Sequence, residues 1–145
     1  MTSRLDIVRV ARSYLGTPFA HAQRVPGVGI DCAGLLICVA RELGLVAPTF
    51  DLPAYDSTPD GKSMLLWCDK VMTRIDRVDL RVGDAMVLIT DLRPQHLGIV
   101  GDYVHGGFSI IHAAATAFPP RVIETRLMFG RSMRLVAGYS FPGMA

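Results

Sequence analysis

The stretch 29–44 leaves this chain little choice of architecture. Gly29-Ile30-Asp31-Cys32-Ala33-Gly34 runs into Leu35-Leu36-Ile37-Cys38-Val39-Ala40 and then Arg41-Glu42-Leu43-Gly44. Asp caps helix N-termini by offering a side-chain oxygen to a free backbone N–H, and Gly suits the residue that follows a helix. An apolar middle with no polar face needs neighbours on most sides. The pattern therefore predicts a buried central helix, capped at Asp31, with Cys32 in its first turn. Unpaired N–H groups and the positive end of the helix dipole favour thiolate over thiol there, which makes Cys32 a candidate nucleophile. A lone cysteine in such a place is more often a small buried hydrophobe. What separates the two readings lies further along the chain.

The 145 residues, 50% hydrophobic and 19% charged, suit a core of one domain spanning 1–145, with no repeat, low-complexity tract or linker to divide it. A net charge of +2 gives no sign of a nucleic-acid partner, and the late arginines Arg121, Arg126, Arg131 and Arg134 read as solvated surface. Three cysteines make a disulfide framework improbable and show no short-spaced pair that would bind a metal, so neither metal nor cofactor is expected. No uncharged apolar run approaches the roughly 18 residues of a membrane span, and the start Met1-Thr2-Ser3-Arg4-Leu5-Asp6 lacks a secretory h-region. The expectation is synthesis in the cytoplasm without an ordinary export signal.

Ser3 suits the cap of a first helix whose apolar positions are Leu5, Val8, Ala11, Tyr14 and Leu15, ending at Gly16. Residues 16–29, with Pro18, Pro26 and Gly27, read as a loop directly before Cys32. A second irregular region, 48–61, carries Pro48, Pro53 and Pro59 with Asp51, Asp56 and Asp60. Helical spacing then resumes over 62–72 through Met64, Leu65, Trp67, Cys68 and Val71, with Cys68 inward. After that the period changes. Runs at 85–90, 97–100, 108–113, 122–127 and 135–141 are separated by Gly, Pro and Asp, the pattern of an antiparallel meander. Helices first and strands afterwards predict an α+β fold.

His96 opens one of these strands and His112 lies near the end of the next, so antiparallel pairing can set both side chains on one face. A cysteine nucleophile needs a base, and the base needs a third group to fix its tautomer. Cys32, His96 and His112 form such a set. A strand histidine taken alone is more often a half-buried packing residue, and His21 and His105 fall in loops.

Four segments in order resemble the motifs of the NlpC-type papain-like peptidases of bacterial cell walls: Asp31-Cys32-Ala33-Gly34-Leu35, Leu80-Arg81-Val82-Gly83-Asp84, His96-Leu97-Gly98-Ile99-Val100 and Ile111-His112-Ala113. The opening Ala11-Arg12-Ser13-Tyr14-Leu15-Gly16-Thr17-Pro18-Phe19 and the closing Gly138-Tyr139-Ser140-Phe141-Pro142-Gly143 are similar to the branch carried by tailed phages and prophages. The resemblance implies a papain-like α+β fold, with a nucleophile-bearing central helix packed on an antiparallel β-sheet. It implies that Cys32 is the nucleophile, His96 the general base and acid, and His112 the orienting residue. The implied reaction is hydrolysis of amides in peptidoglycan stem peptides, commonly between D-glutamate and a diamino acid, through a thioester acyl-enzyme. Asp31 would help bind a substrate amine, in addition to capping the helix.

The chain departs from that pattern at Phe19, where many relatives have Tyr, and at Ala33, where many have Ser. Both changes remove a polar contact from the expected substrate site. Ala20-His21-Ala22 replaces the usual Trp-Gly-Gly, and His21 there either lines the pocket or faces solvent. A cell-wall hydrolase without an export signal needs a carrier, and a phage tail with its tail-tip proteins would serve. Two rivals stay open: a non-catalytic tail-assembly module of the same fold, and a cysteine amidase or acyltransferase acting on another acyl donor.

Overall fold

Ser3 and Asp6 close the first helix by reciprocal capping, the Ser3 hydroxyl taking the Asp6 N–H and the Asp6 carboxylate taking the Ser3 N–H. The structure, a computed structural model, describes residues 1–57, 60–90 and 95–144; Pro59 of the irregular region lies outside them. Helix α1 (Arg4–Ser13) buries Ile7, Val8, Val10 and Ala11, with Tyr14 just beyond its end. Leu5 and Leu15, expected on the same stripe, are instead exposed at 66% and 44%. The spacing of Ile7, Ala11 and Tyr14 centres the apolar face away from Leu5, and Leu15 falls past the helix, next to Gly16 with φ +87°.

Residues 16–29 are not wholly irregular. Strands β1 (Arg24–Val25) and β2 (Gly29–Ile30) pair antiparallel around Val25-Pro26-Gly27-Val28, where the Val28 N–H donates to the Val25 carbonyl at 3.0 Å and Gly27 takes φ +82°. Pro then Gly in the middle of a four-residue turn is the chemistry of type II, whose third position needs positive φ. The hairpin delivers the chain to Asp31 and the central helix α2 (Cys32–Glu42), whose residues 33–40 are all buried. Helix α3 (Ser63–Val71) turns Cys68 inward, 6% exposed, as expected.

The sheet is antiparallel throughout, with strand order β3-β8-β4-β5-β6-β7. Its strands are β3 (Thr73–Ile75), β4 (Ala85–Thr90), β5 (His96–Asp102), β6 (Phe108–Ala114), β7 (Arg121–Arg126) and β8 (Met133–Ser140). Strands β4 to β7 form the expected meander. Strand β8 departs from it, crossing back to insert between β4 and the short β3, which has no clear sequence signal. The continuous apolar run of β4 explains the return, because a strand with Ala85, Met86, Val87 and Leu88 all at or below 1% exposure needs cover on both faces and partners on both edges. One face of the sheet carries Leu97, Ile99, Ile111 and Ala113 into a core shared with α1 and α2; the other gathers Leu88, Val100 and Ile110.

Gly34 holds the start of α2 against the hairpin. A Cβ there would stand 2.6 Å from the Gln23 carbonyl oxygen and 3.1 Å from Asp31 Oδ1. Alanine gains about 1 kcal/mol of helix propensity over glycine, but a backbone oxygen cannot swing aside as a side chain can. Gly34→Ala is therefore expected to destabilise the fold by roughly 1–3 kcal/mol, read from the urea midpoint. An unchanged or higher midpoint would show that hairpin and helix are not held at this distance.

Candidate active site

Cys32 is the first residue of α2 and is half-buried at the point where two cavities meet. The larger, about 430 Å³, is walled by Phe19, His21, Asp31, Tyr55 and Trp67 as well as Cys32. The smaller, about 230 Å³, is lined by His96, His112, Thr90, Ala114 and Met133 together with Cys32 and Phe19. Three positions far apart in sequence, Cys32, His96 and His112, thus open on one cavity.

The two histidines meet because β5 and β6 are antiparallel neighbours, with His96 at the start of β5 and His112 near the end of β6. His96 Nε2 and His112 Nδ1 are 2.6 Å apart, a hydrogen bond, with the rings edge-on at 76°. Burial lowers the His112 pKa to about 4, so His112 is neutral near pH 7. A neutral His112 carrying its proton on Nε2 can accept the His96 Nε2–H at its Nδ1.

This has a stability consequence. In the unfolded chain His112 protonates near 6.5 and in the folded protein near 4, so between those values the unfolded state binds the extra proton. Stability from this group is fully present above pH 6.5 and is lost as pH falls towards 4, by about 3 kcal/mol. Urea midpoints at both pH values are expected to differ by this amount more for the wild type than for His112→Gln, which has no proton to take up. Equal acid sensitivity in the two proteins would show that His112 is not buried as a neutral ring.

Asp31 is the N-cap of α2, as expected, and is 3% exposed. Its Oδ1 accepts from the Gly34 N–H at 2.8 Å and from Arg24 Nη1 at 2.9 Å, and its Oδ2 from the Ala22 N–H at 2.8 Å and from the Tyr55 hydroxyl. Arg24 Nη2 donates to the Tyr55 oxygen at 2.8 Å and Nε to Asp51 at 3.1 Å. Burial first, then the bond to Asp31, raises the Tyr55 pKa, so this phenol stays a donor. Phe19 lines both cavities and pairs as an isolated bridge with Ile30. His21 reaches the larger cavity, its Nε2 3.1 Å from the Tyr55 carbonyl oxygen. Ala33, 2% exposed, faces a third, apolar cavity between α2 and α3, away from both cavities that Cys32 lines.

Arg24, Tyr55, Trp67 and Gln95 belong to this region, and the sequence alone gives none of them a site role. Gln95 is buried beside His96 and accepts the Met64 N–H at 3.2 Å, tying α3 to the start of β5. Trp67 shows in the sequence only as one position in a helical stripe. Arg24 and Tyr55 sit in segments with no periodicity, and nothing in their spacing links them to Asp31. Among the described residues no group of three or more His, Cys, Asp or Glu is arranged to hold a metal, and no helix is long and apolar enough to cross a membrane.

A central helix with cysteine at its start, packed on an antiparallel sheet that carries a histidine pair, is the papain-like α+β arrangement. Its NlpC/p60 form is found in solved structures that superpose on this chain. The NlpC/p60 domain of the peptidoglycan hydrolase SagA matches with a TM-score of 0.60 and 20% identity over 97% of this chain and 100% of that one. NlpC1 from Trichomonas vaginalis gives 0.63 and 19% over 93% of this chain and 42% of its own. NlpC2 from the same organism gives 0.60 and 22% over 94% and 46%, so the chain spans less than half the length of either Trichomonas protein. No family model and no curated protein matches the sequence. At these identities the likeness establishes the fold, and it agrees with the α+β class expected from the sequence.

Proposed function

We propose that this protein is a cysteine peptidase that hydrolyses amide bonds of bacterial peptidoglycan stem peptides, between D-glutamate and a diamino acid. The observation that carries the reading is the 2.6 Å bond between His96 and a neutral His112 on the cavity that Cys32 also lines. The substrate class is supported by the likeness to the NlpC/p60 domain of SagA, a peptidoglycan hydrolase.

In this reading His96 Nδ1 takes the Cys32 proton as Sγ attacks the scissile carbonyl carbon. The developing oxyanion is met by N–H groups at the start of α2, an arrangement that typically supplies a few kcal/mol. His96 then gives the proton to the departing amine, leaving a thioester on Cys32. Water attacks that thioester with His96 as base, releasing the carboxylic acid and the free thiol. His112 fixes the tautomer of His96 and accepts its Nε2–H while His96 is cationic. The likeness of residues 11–19 and 138–143 to the phage branch supports a place in a phage tail, for which the protein's presence in purified virions is the measurement.

The test of the activity is incubation with defined muropeptides, reading products by mass. A fragment ending in D-glutamate, with a second beginning at the diamino acid, is the expected result. An unchanged muropeptide, or a product with an acyl group transferred to another acceptor, would sink the reading.

A further inference from the structure

We propose that Arg24 sets the specificity of this site by closing Asp31 to substrate amines, so that the pocket takes stem peptides whose N-terminal nitrogen is acylated. The proposal rests on the peptidase reading above and narrows its substrate. A carboxylate offers about four acceptor positions. In Asp31 each oxygen already takes two donors: the Gly34 N–H and Arg24 on one, the Ala22 N–H and the Tyr55 hydroxyl on the other. None is left for an ammonium group.

Displacing one of these donors is opposed by how they are held. Gly34 and Ala22 donate from the backbone, so neither N–H can leave without moving the helix start or the hairpin. Arg24 is 10% exposed along its side chain and is gripped from a second side by Asp51, at 3.1 Å. Tyr55 is held between Asp31 and Arg24, with the guanidinium carbon 5.6 Å from its ring centre. Arg24 is not part of the cavity wall; it stands behind Asp31 and Tyr55, which are. It therefore acts through them. An ammonium arriving in the cavity meets a carboxylate whose charge is balanced and a like charge behind it, whereas an amide nitrogen brings no charge to be repelled. Asp56 and Asp60 also line the cavity but are exposed, where water screens their pull on a cation. An acylated nitrogen is the form a stem peptide has while joined to its glycan strand.

The experiment uses one tripeptide, L-alanyl-γ-D-glutamyl-diamino acid, with its amine free or acetylated, against the wild type, Arg24→Met and the double variant Arg24→Met with Asp31→Asn. The wild type is expected to hydrolyse the acetylated form with kcat/KM at least equal to the free form. Arg24→Met, by uncovering Asp31, is expected to raise the free-to-acetylated ratio by about tenfold. Adding Asp31→Asn to Arg24→Met is expected to return that ratio to about the wild-type value, since the uncovered carboxylate is then gone. A wild-type preference of about tenfold for the free amine, or a ratio in Arg24→Met no higher than in the wild type, overturns the proposal. If Arg24→Met does not fold, the wild-type ratio decides it alone. If no protein turns over either peptide, the peptidase reading falls by itself, and dissociation constants on Cys32→Ala protein decide the specificity. Tighter binding of the acetylated peptide upholds the proposal; tighter binding of the free amine, or no binding of either, overturns it.

Discussion

Replacing Cys32 with Ala is expected to remove turnover of stem peptides, by at least about a thousandfold, while the melting temperature moves by no more than about 3 °C. The argument is one of placement. Cys32 is half-buried at a helix start, so losing one sulfur atom leaves neither a closed cavity in the core nor an unpaired cap, because Asp31 caps α2. His96→Ala removes the base and is expected to cost nearly as much activity. His112→Gln is expected to cost less than His112→Ala, since an amide can still accept the Nε2–H of His96 at the position given by the 2.6 Å contact. A Cys32→Ala protein that unfolds would assign the residue to packing. Equal losses for the two His112 variants would remove its orienting role.

The second large effect is chemical and needs no substrate. Burial first, then the neighbouring Asp69 and Cys32, pushes the Cys68 thiol up to about 12, and burial raises Cys38 as well. At pH 7 a thiol with that pKa is ionised to about one part in 10⁵, against roughly 3% for an ordinary cysteine. Both thiols also lie behind packed side chains, at 6% and 5% exposure, while Cys32 lines two cavities. Brief iodoacetamide treatment of the folded protein is therefore expected to alkylate Cys32 at least about a thousandfold faster than Cys68. The other two should react only after denaturation. Peptide mapping that finds Cys68 modified first, or Cys32 inert until the chain unfolds, would place Cys32 in the core and remove the nucleophile from the proposed reaction.

Much of this was legible in the sequence where a local rule decides the outcome. Asp31, the apolar run and Gly44 outline α2 because capping and burial act over a few residues, and strand 85–90 emerges with the bounds its composition suggests. His96 and His112 could be brought together from their places at the start of one strand and near the end of the next, antiparallel one. What was not legible depends on distance along the chain. Strand β8 is a neighbour of β4, not of β7, because β4 needs two partners, and period-2 alternation does not say which strands will supply them. Leu5 fits a stripe because a helical spacing can be drawn through it, while Ile7, Ala11 and Tyr14 face the core. The enclosure of Asp31 joins residues 22, 24 and 55, brought together by a hairpin turn and an irregular segment that carry no periodic signal.

The return of β8 to the middle of the sheet also governs the order in which the chain can be finished. Until residues 133–140 leave the ribosome, β4 has β5 on one edge and nothing on the other, and β3 has no strand to join. Its open edge is an apolar strand with unpaired N–H and C=O groups, the kind of surface that recruits other chains. Helices α1 and α2 and the meander β4–β7 can assemble during synthesis, but the sheet closes only when residues 133–140 have been made. A break in the chain before residue 133 therefore withdraws an interior strand of the sheet, not one at its edge.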